Sequence, residues 1–540
     1  MSHPESKEHP HKAFLEAFNG GRCGRTLLLS ALAKPFLILT GGSGTGKTQL
    51  ASAFAGFYGN TSKTTGGFPF QVGESVGEGS AAYRITRLTP DFIEIANPNG
   101  SLVQFPNDLV KEWISAIVDG RIDRSKGQRE QRGIVKEGSV FDSYYHGWTA
   151  QLIGLAWGVA DRVKADPAVV VRENHTIVPV GADWTDNRQV LGFVNHLRTS
   201  SVGEGDTATE RPVYQTTPVL DLLLEASRPG NERFPFFLIL DEMNLSHVER
   251  YFADFLSVME QRDGVLTLHS EGPREDEHFC LPRYAADPLG VPRTLPYPQN
   301  LFVIGTVNVD ETTYMFSPKV LDRANVIEFA VESGQIDEFL AAPHEYPEPP
   351  KADDGVAEAF LALAKKARLD PDKGGLDALG GTAADEAREH LVTLFEILKR
   401  GRFEFAYRTA NEVMRYLRVC RYLAAEESDD ALSAWDEGGW RNDLDAQIVQ
   451  KILPKLHGSM GRVGRLLGAL TAYCGGADAG AAFHYFPGGR EGNDSSITGL
   501  PLQNALEPVE GGGHRFSKSR TKLETMIQVL LEEQFVSFIN

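Results

Sequence analysis

Phe36-Leu-Ile-Leu-Thr-Gly-Gly-Ser-Gly-Thr-Gly-Lys-Thr48 is the stretch that decides how this chain folds. Pro35 opens an apolar run, Phe36 to Thr40, that is short and ends in a glycine turn, so it reads as a buried parallel strand. Gly41 to Thr48 matches G-x-x-x-x-G-K-[ST], and a helix is expected from Lys47 onward. In a chain this rich in glycine, roughly 0.03 such matches arise by chance, and a strand before and a helix after are the confirming context. Glycines let backbone N–H groups curl around phosphate oxygens, and the helix start adds its positive end. Lys47 would reach the β- and γ-phosphates, and the Thr48 hydroxyl would ligate Mg²⁺. The expected phosphate-binding set is Gly41, Gly42, Ser43, Gly44, Thr45, Gly46, Lys47, Thr48 and Gln49.

Four more strand candidates follow: Thr176 to Val180, Phe236 to Leu240, Leu301 to Gly305 and Val326 to Phe329. Helical stretches separate them, as in a three-layer α/β domain. The third strand runs into Asp241 and Glu242. At a strand tip beside the phosphate loop, Asp241 can hold Mg²⁺ and Glu242 can polarise an attacking water. Asn244 could orient that water or cap the next helix. Asn308, beyond the strand that starts at Leu301, is placed to contact a γ-phosphate or the water. Arg323, just before the last strand, is placed to reach a neighbouring subunit's nucleotide and stabilise transition-state charge. Arg408, in Phe405-Ala-Tyr-Arg408, is expected to reach the nucleotide within its own chain.

These parts, in this order, resemble the AAA+ ATPases, and within them the McrB-like branch near the MoxR and dynein-related group. The resemblance rests on Gly41 to Thr48, Leu240-Asp-Glu-Met-Asn244, Ile304-Gly-Thr-Val-Asn308, Leu321-Asp-Arg323, Phe405-Ala-Tyr-Arg408 and Gln450-Lys-Ile-Leu-Pro-Lys-Leu-His-Gly458. It implies a Walker A loop, a Walker B pair, a sensor 1 asparagine (Asn308), an arginine finger (Arg323) and a sensor 2 arginine (Arg408). It also implies a homo-oligomeric ring, a hexamer, with nucleotide held between subunits, and a McrC-like PD-(D/E)xK nuclease as partner, with DNA reached through the complex. McrB proteins use GTP and carry Met-Asn-x-x-Asp-Arg near sensor 1; here Glu311 and Thr312 stand at the last two positions. That departure favours ATP, with GTP still open. A MoxR-like chaperone that remodels a protein would use the same chemistry.

The expected fold class is therefore α/β: an AAA+ three-layer αβα P-loop core with a β-rich insertion and a C-terminal helical lid. The expected divisions are an N-terminal extension (1–30), the core (31–60 and 170–335), an inserted β-rich and helical domain (61–169), a Pro-rich linker (336–355), a helical lid (356–480), and a loop plus C-terminal helix (481–540). Within the insertion, Ala82 to Phe105 alternates and Leu109 to Ile117 looks helical. Arg121 to Lys136 holds six basic and two acidic residues, which could track a DNA backbone with Tyr144, Tyr145 and Trp148 nearby for stacking.

Composition bounds the rest. The 540 residues are too many for one compact fold, and 41% hydrophobic residues exclude global disorder. A net charge of −19 makes the chain as a whole a poor binder of nucleic acid. Four scattered cysteines form no C-x-x-C pair, Met1 to His11 has no apolar signal region, and no membrane span is expected, so a cytoplasmic protein is the expectation.

Overall fold

The computed structural model describes residues 22–59, 75–76, 83–88, 92–96, 102–106, 174–202, 209–228, 231–261, 263–273, 279–283, 290–309, 314–329, 331, 333–341, 354–369, 379, 381–489, 498–507 and 514–538. The expected helix at Leu109 to Ile117, the basic stretch Arg121 to Lys136, its aromatics, and Pro343 to Pro350 lie outside these residues.

All five expected strands form one parallel sheet. They are β1 (Phe36–Gly41), β2 (His175–Pro179), β3 (Phe236–Asp241), β4 (Leu301–Asn308) and β5 (Asn325–Phe329), in the spatial order β5-β1-β4-β3-β2. The three inner strands are buried along almost their whole length, which explains why they read as unbroken apolar runs rather than alternating ones. β1, β3 and β4 end in Gly41, Asp241 and Asn308 on the same edge of the sheet. Gly41 sits level with Asn308, and Pro179 with Asp241.

Helices α1 (Arg22–Ala33), α2 (Lys47–Phe57) and α3 (Pro218–Ala226) flank the sheet, and α3 starts with Thr217 accepting from Leu220 N and Pro218 in its first turn. The chain has the three-layer α/β fold of the P-loop type. Its aromatic centre joins the layers: Phe237 packs on Phe54 (5.5 Å) and Phe302 (5.3 Å), and Tyr58 stacks on Phe360 at 4.3 Å. Phe360 belongs to α4 (Asp354–Leu369), so the helical C-terminal region is packed into the core rather than hung from it.

That region continues through α5 (Gly381–Arg400), α6 (Tyr407–Glu427), α7 (Met460–Gly475) and α8 (Ser517–Glu533). A helix also covers Ser333–Ala341, across the start of the expected linker. Between β1 and β2, a separate antiparallel sheet is built from Ser75–Val76, Tyr83–Leu88, Phe92–Ala96 and Leu102–Pro106.

Several strand pairings were not expected from the sequence, among them the following two. A hairpin pairs Phe193–Val202 with Thr209–Gln215, and Phe535–Ser537 returns as a strand on His457–Ser459. The hairpin escaped notice because its first strand is largely solvated, with Leu197 98% exposed, so no two-residue alternation marks it. The C-terminal strand is only three residues long and its pairing is decided by tertiary packing. Among the described residues, no helix is long and apolar enough to cross a membrane.

The start of α8 is capped from outside its own segment. Asp445, buried, accepts from Lys518 N (2.8 Å), Ser519 N (2.9 Å) and Ser519 Oγ (2.5 Å). These are orphan donors of a helix N-terminus, and a carboxylate there also meets the positive end of the helix. Asp445→Ala is expected to lower stability by about 1–3 kcal/mol, read in urea unfolding; an unchanged midpoint would show that this cap does not hold α8.

Candidate functional site

The site is built where the strand tips meet the start of α2. Gly41 has φ +152°, and a Cβ there would lie 2.3 Å from Phe329 O, so only glycine lets β1 and β5 approach. Gly44 and Gly46 also take positive φ, and Gly46 begins α2 with no side chain capping it. The first N–H groups of an eleven-residue helix are thus left facing the loop. Lys47 is buried, with Nζ donating to Gly41 O (2.9 Å), Gly42 O (2.6 Å) and Thr45 Oγ1 (3.2 Å). Burial lowers its pKa, and the Asp241 and Glu242 carboxylates oppose that shift. Ser43 and Gln49 are exposed on the loop and first helical turn.

Asp241 is the junction. Its Oδ1 accepts from Thr48 Oγ1 at 2.6 Å and from Thr306 Oγ1 at 2.6 Å. One carboxylate oxygen therefore ties α2, β3 and β4 together. Thr306 also accepts from Glu242 N at 3.1 Å. Glu242 has φ 53°, in the left-handed region that a β-carbon disfavours, so its backbone is held in a costly conformation next to the loop. Its Oε1 accepts from Asn308 Nδ2 at 2.9 Å. Asn244, buried, donates to Asn308 O at 3.4 Å and steadies the same tip.

The structure thus brings Lys47, Thr48, Asp241, Glu242 and Asn308 to one edge of the sheet. Thr306 was missed by the sequence reading. The available signal was a lone hydroxyl in an apolar strand, two residues before Asn308 and so on the same face.

Arg323 and Arg408 meet at a different point, and together. Glu260 Oε2 takes Arg408 Nη2 at 2.6 Å and Arg323 Nη2 at 3.2 Å. Arg323 also donates to Lys319 O at 2.8 Å. Two guanidiniums that share one carboxylate oxygen lie side by side. The two charges, expected to serve different nucleotides, are thus presented from one place on the chain.

The donor set fits a Mg²⁺-nucleotide. Thr48 and Asp241 offer the hard oxygens that Mg²⁺ takes, and Gly41 to Lys47 offer N–H groups and a cation to phosphate. Among the described residues, no group of three or more His, Cys, Asp or Glu could hold a metal without such help.

Residues 360–535 match a family described as a domain of unknown function (DUF8727). That match holds Arg408 and the helical region, and leaves the phosphate loop and Asp241 outside it. No curated protein matches the chain. Among solved structures, the chain is similar to a protein from Cytophaga hutchinsonii ATCC 33406 described as a "putative ATPase". The identity is 11% and the TM-score 0.29, covering 48% of this chain and 67% of that one.

Thr306→Val removes a hydroxyl that both donates to Asp241 and accepts from Glu242 N–H while keeping the side-chain shape. It is expected to cost about 1–3 kcal/mol in urea unfolding, because two groups lose a partner. Wild-type stability in this variant would mean that the junction does not depend on Thr306.

Proposed function

We propose that this chain is an AAA+ nucleoside triphosphatase of McrB-like type, binding ATP and Mg²⁺ on Gly41 to Gln49. The observation that carries the reading is the 2.6 Å contact of Thr48 with Asp241, which joins the residue types of a phosphate loop and an acidic strand tip at one place. In this reading the loop N–H groups and Lys47 hold the triphosphate, and Thr48 and Asp241 hold the metal. Mg²⁺, when bound, neutralises charge on the phosphate oxygens. Glu242 takes the proton of the attacking water, and Asn308, bonded to Glu242, orients that carboxylate and the water.

Arg323 and Arg408 lie together, so we assign both to the triphosphate of an adjacent protomer, where two positive charges stabilise the transferring phosphoryl group. The reading therefore requires a homo-oligomeric ring, taken as a hexamer. On the resemblance to McrB-like proteins, we extend it to a motor that drives a McrC-like nuclease on DNA.

The test is a set of three variants in nucleotide binding and phosphate release. Lys47→Ala is expected to abolish ATP binding. Glu242→Gln should bind ATP normally and lose turnover by about a hundredfold or more, as expected when a general base is removed. Arg323→Ala should bind ATP and lose turnover by about a thousandfold, the scale of an arginine finger. Normal turnover in Arg323→Ala contradicts the shared site, and normal binding in Lys47→Ala contradicts the reading as a whole.

A further inference from the structure

The stretch Gln450 to Gly458 carried part of the resemblance, but the chemistry above gives it no role. In the structure it overlaps a π-helical turn, Ile448–Ile452, and includes the tight turn that follows, Leu453–Lys455. Such π-turns insert a residue and re-aim side chains, and they are frequent at functional sites. Here the turns aim two lysines at the residues on either side of Arg323.

Lys451 is 1% exposed. Its Nζ donates to Asp322 O (3.0 Å) and Ala324 O (2.8 Å) and pairs with Glu412 Oε2 (2.5 Å). An ammonium has three hydrogens, and three acceptors surround it. Two of these acceptors are the carbonyls that bracket Arg323, left over where the short helix Pro318–Leu321 ends before β5. Lys455 Nζ pairs with Asp322 Oδ1 at 2.5 Å and donates to Thr409 Oγ1 at 3.1 Å. Thr409 follows Arg408 directly, and Glu412 stands one helical turn beyond Arg408 on α6.

The network also reaches the phosphate loop's own strand. Glu412 Oε1 takes the ammonium of Lys34, which sits between α1 and β1. Burial pushes the Glu412 carboxyl up, but the Lys34 and Lys451 ammonium groups more than reverse this and hold it down to about 2. A buried carboxylate with two cations thus ties the lid, the Arg323 turn and the root of β1.

We infer that Lys451 and Lys455 are positioning residues that fasten the Arg323 turn to the lid, so that the placing of Arg323 and Arg408 follows the lid. This rests on the reading that Arg323 completes a neighbour's triphosphate site. If the lid shifts when its own chain binds nucleotide, the two lysines carry that shift to the arginines facing the next protomer. A merely structural role would impair nucleotide binding and turnover alike, and intact neighbours could not restore it selectively.

The experiment uses the full-length protein and Lys451→Met, which keeps length and removes charge. ATP affinity is expected to stay within about twofold of wild type while turnover falls by at least about tenfold. Equimolar mixing with Glu242→Gln subunits, which bind ATP, lack turnover of their own and keep an intact arginine turn, should restore turnover. Mixing with Arg323→Ala subunits should not. Unchanged turnover, binding lost in step with turnover, or equal rescue by both partners overturns the inference. If Lys451→Met does not fold, Lys455→Ala goes through the same mixtures and is judged by the same outcomes. The parent reading fails separately: normal turnover in Arg323→Ala sinks it, whereas an inactive Arg323→Ala beside a fully active Lys451→Met sinks only the role of the lysines.

Discussion

A single carboxylate oxygen organises the candidate site. Asp241 Oδ1 receives the hydroxyls of Thr48 and Thr306, so the start of α2 and the tips of β3 and β4 are fixed against one another. The sheet order makes this possible. With β4 seated between β1 and β3, the strand bearing Thr306 and Asn308 touches both the glycine loop and the acidic pair. A sheet in which β1 and β3 were direct neighbours would bring Thr48 to Asp241 but leave Asn308 no place beside Glu242. Short hydrogen bonds to an ionised acceptor are the stronger kind, so the arrangement is stiff before any ligand enters.

A second constraint ties that rigid edge to the helical region. Glu412 joins Lys34 at the root of β1 to Lys451 in the lid, and Lys451 in turn grips the carbonyls around Arg323. Removing one member of a buried charge group leaves the others uncompensated, so such a cluster couples its elements more tightly than surface pairs would. The Glu260 carboxylate adds a softer contact, since it is partly exposed and shared by Arg323 and Arg408.

Much of the core was legible in the sequence because buried parallel strands leave a strong trace. Phe236 to Leu240 and Leu301 to Ile304 are unbroken apolar runs, and both proved to be inner strands. The phosphate loop was legible because only glycine satisfies the backbone at Gly41, Gly44 and Gly46. Thr306 was hidden, since a threonine in a strand usually means only β propensity. The meeting of Arg323 and Arg408 was hidden for another reason: Glu260 lies in the turn after the short helix Ala253–Val258, with no motif of its own, and three residues far apart in sequence converge only through packing. Nothing in the sequence pairs Lys451 with Glu412, and only their burial reveals them as a cluster.

The most direct test is a structure of the assembled protein with Mg²⁺ and a non-hydrolysable ATP analogue. The account predicts the γ-phosphate against Lys47, the metal on Thr48 beside Asp241, and Arg323 and Arg408 of the adjacent protomer turned from Glu260 toward that phosphate. A triphosphate bound away from the Gly41 to Thr48 loop, or one whose γ-phosphate has neither arginine of any protomer within reach, would contradict it.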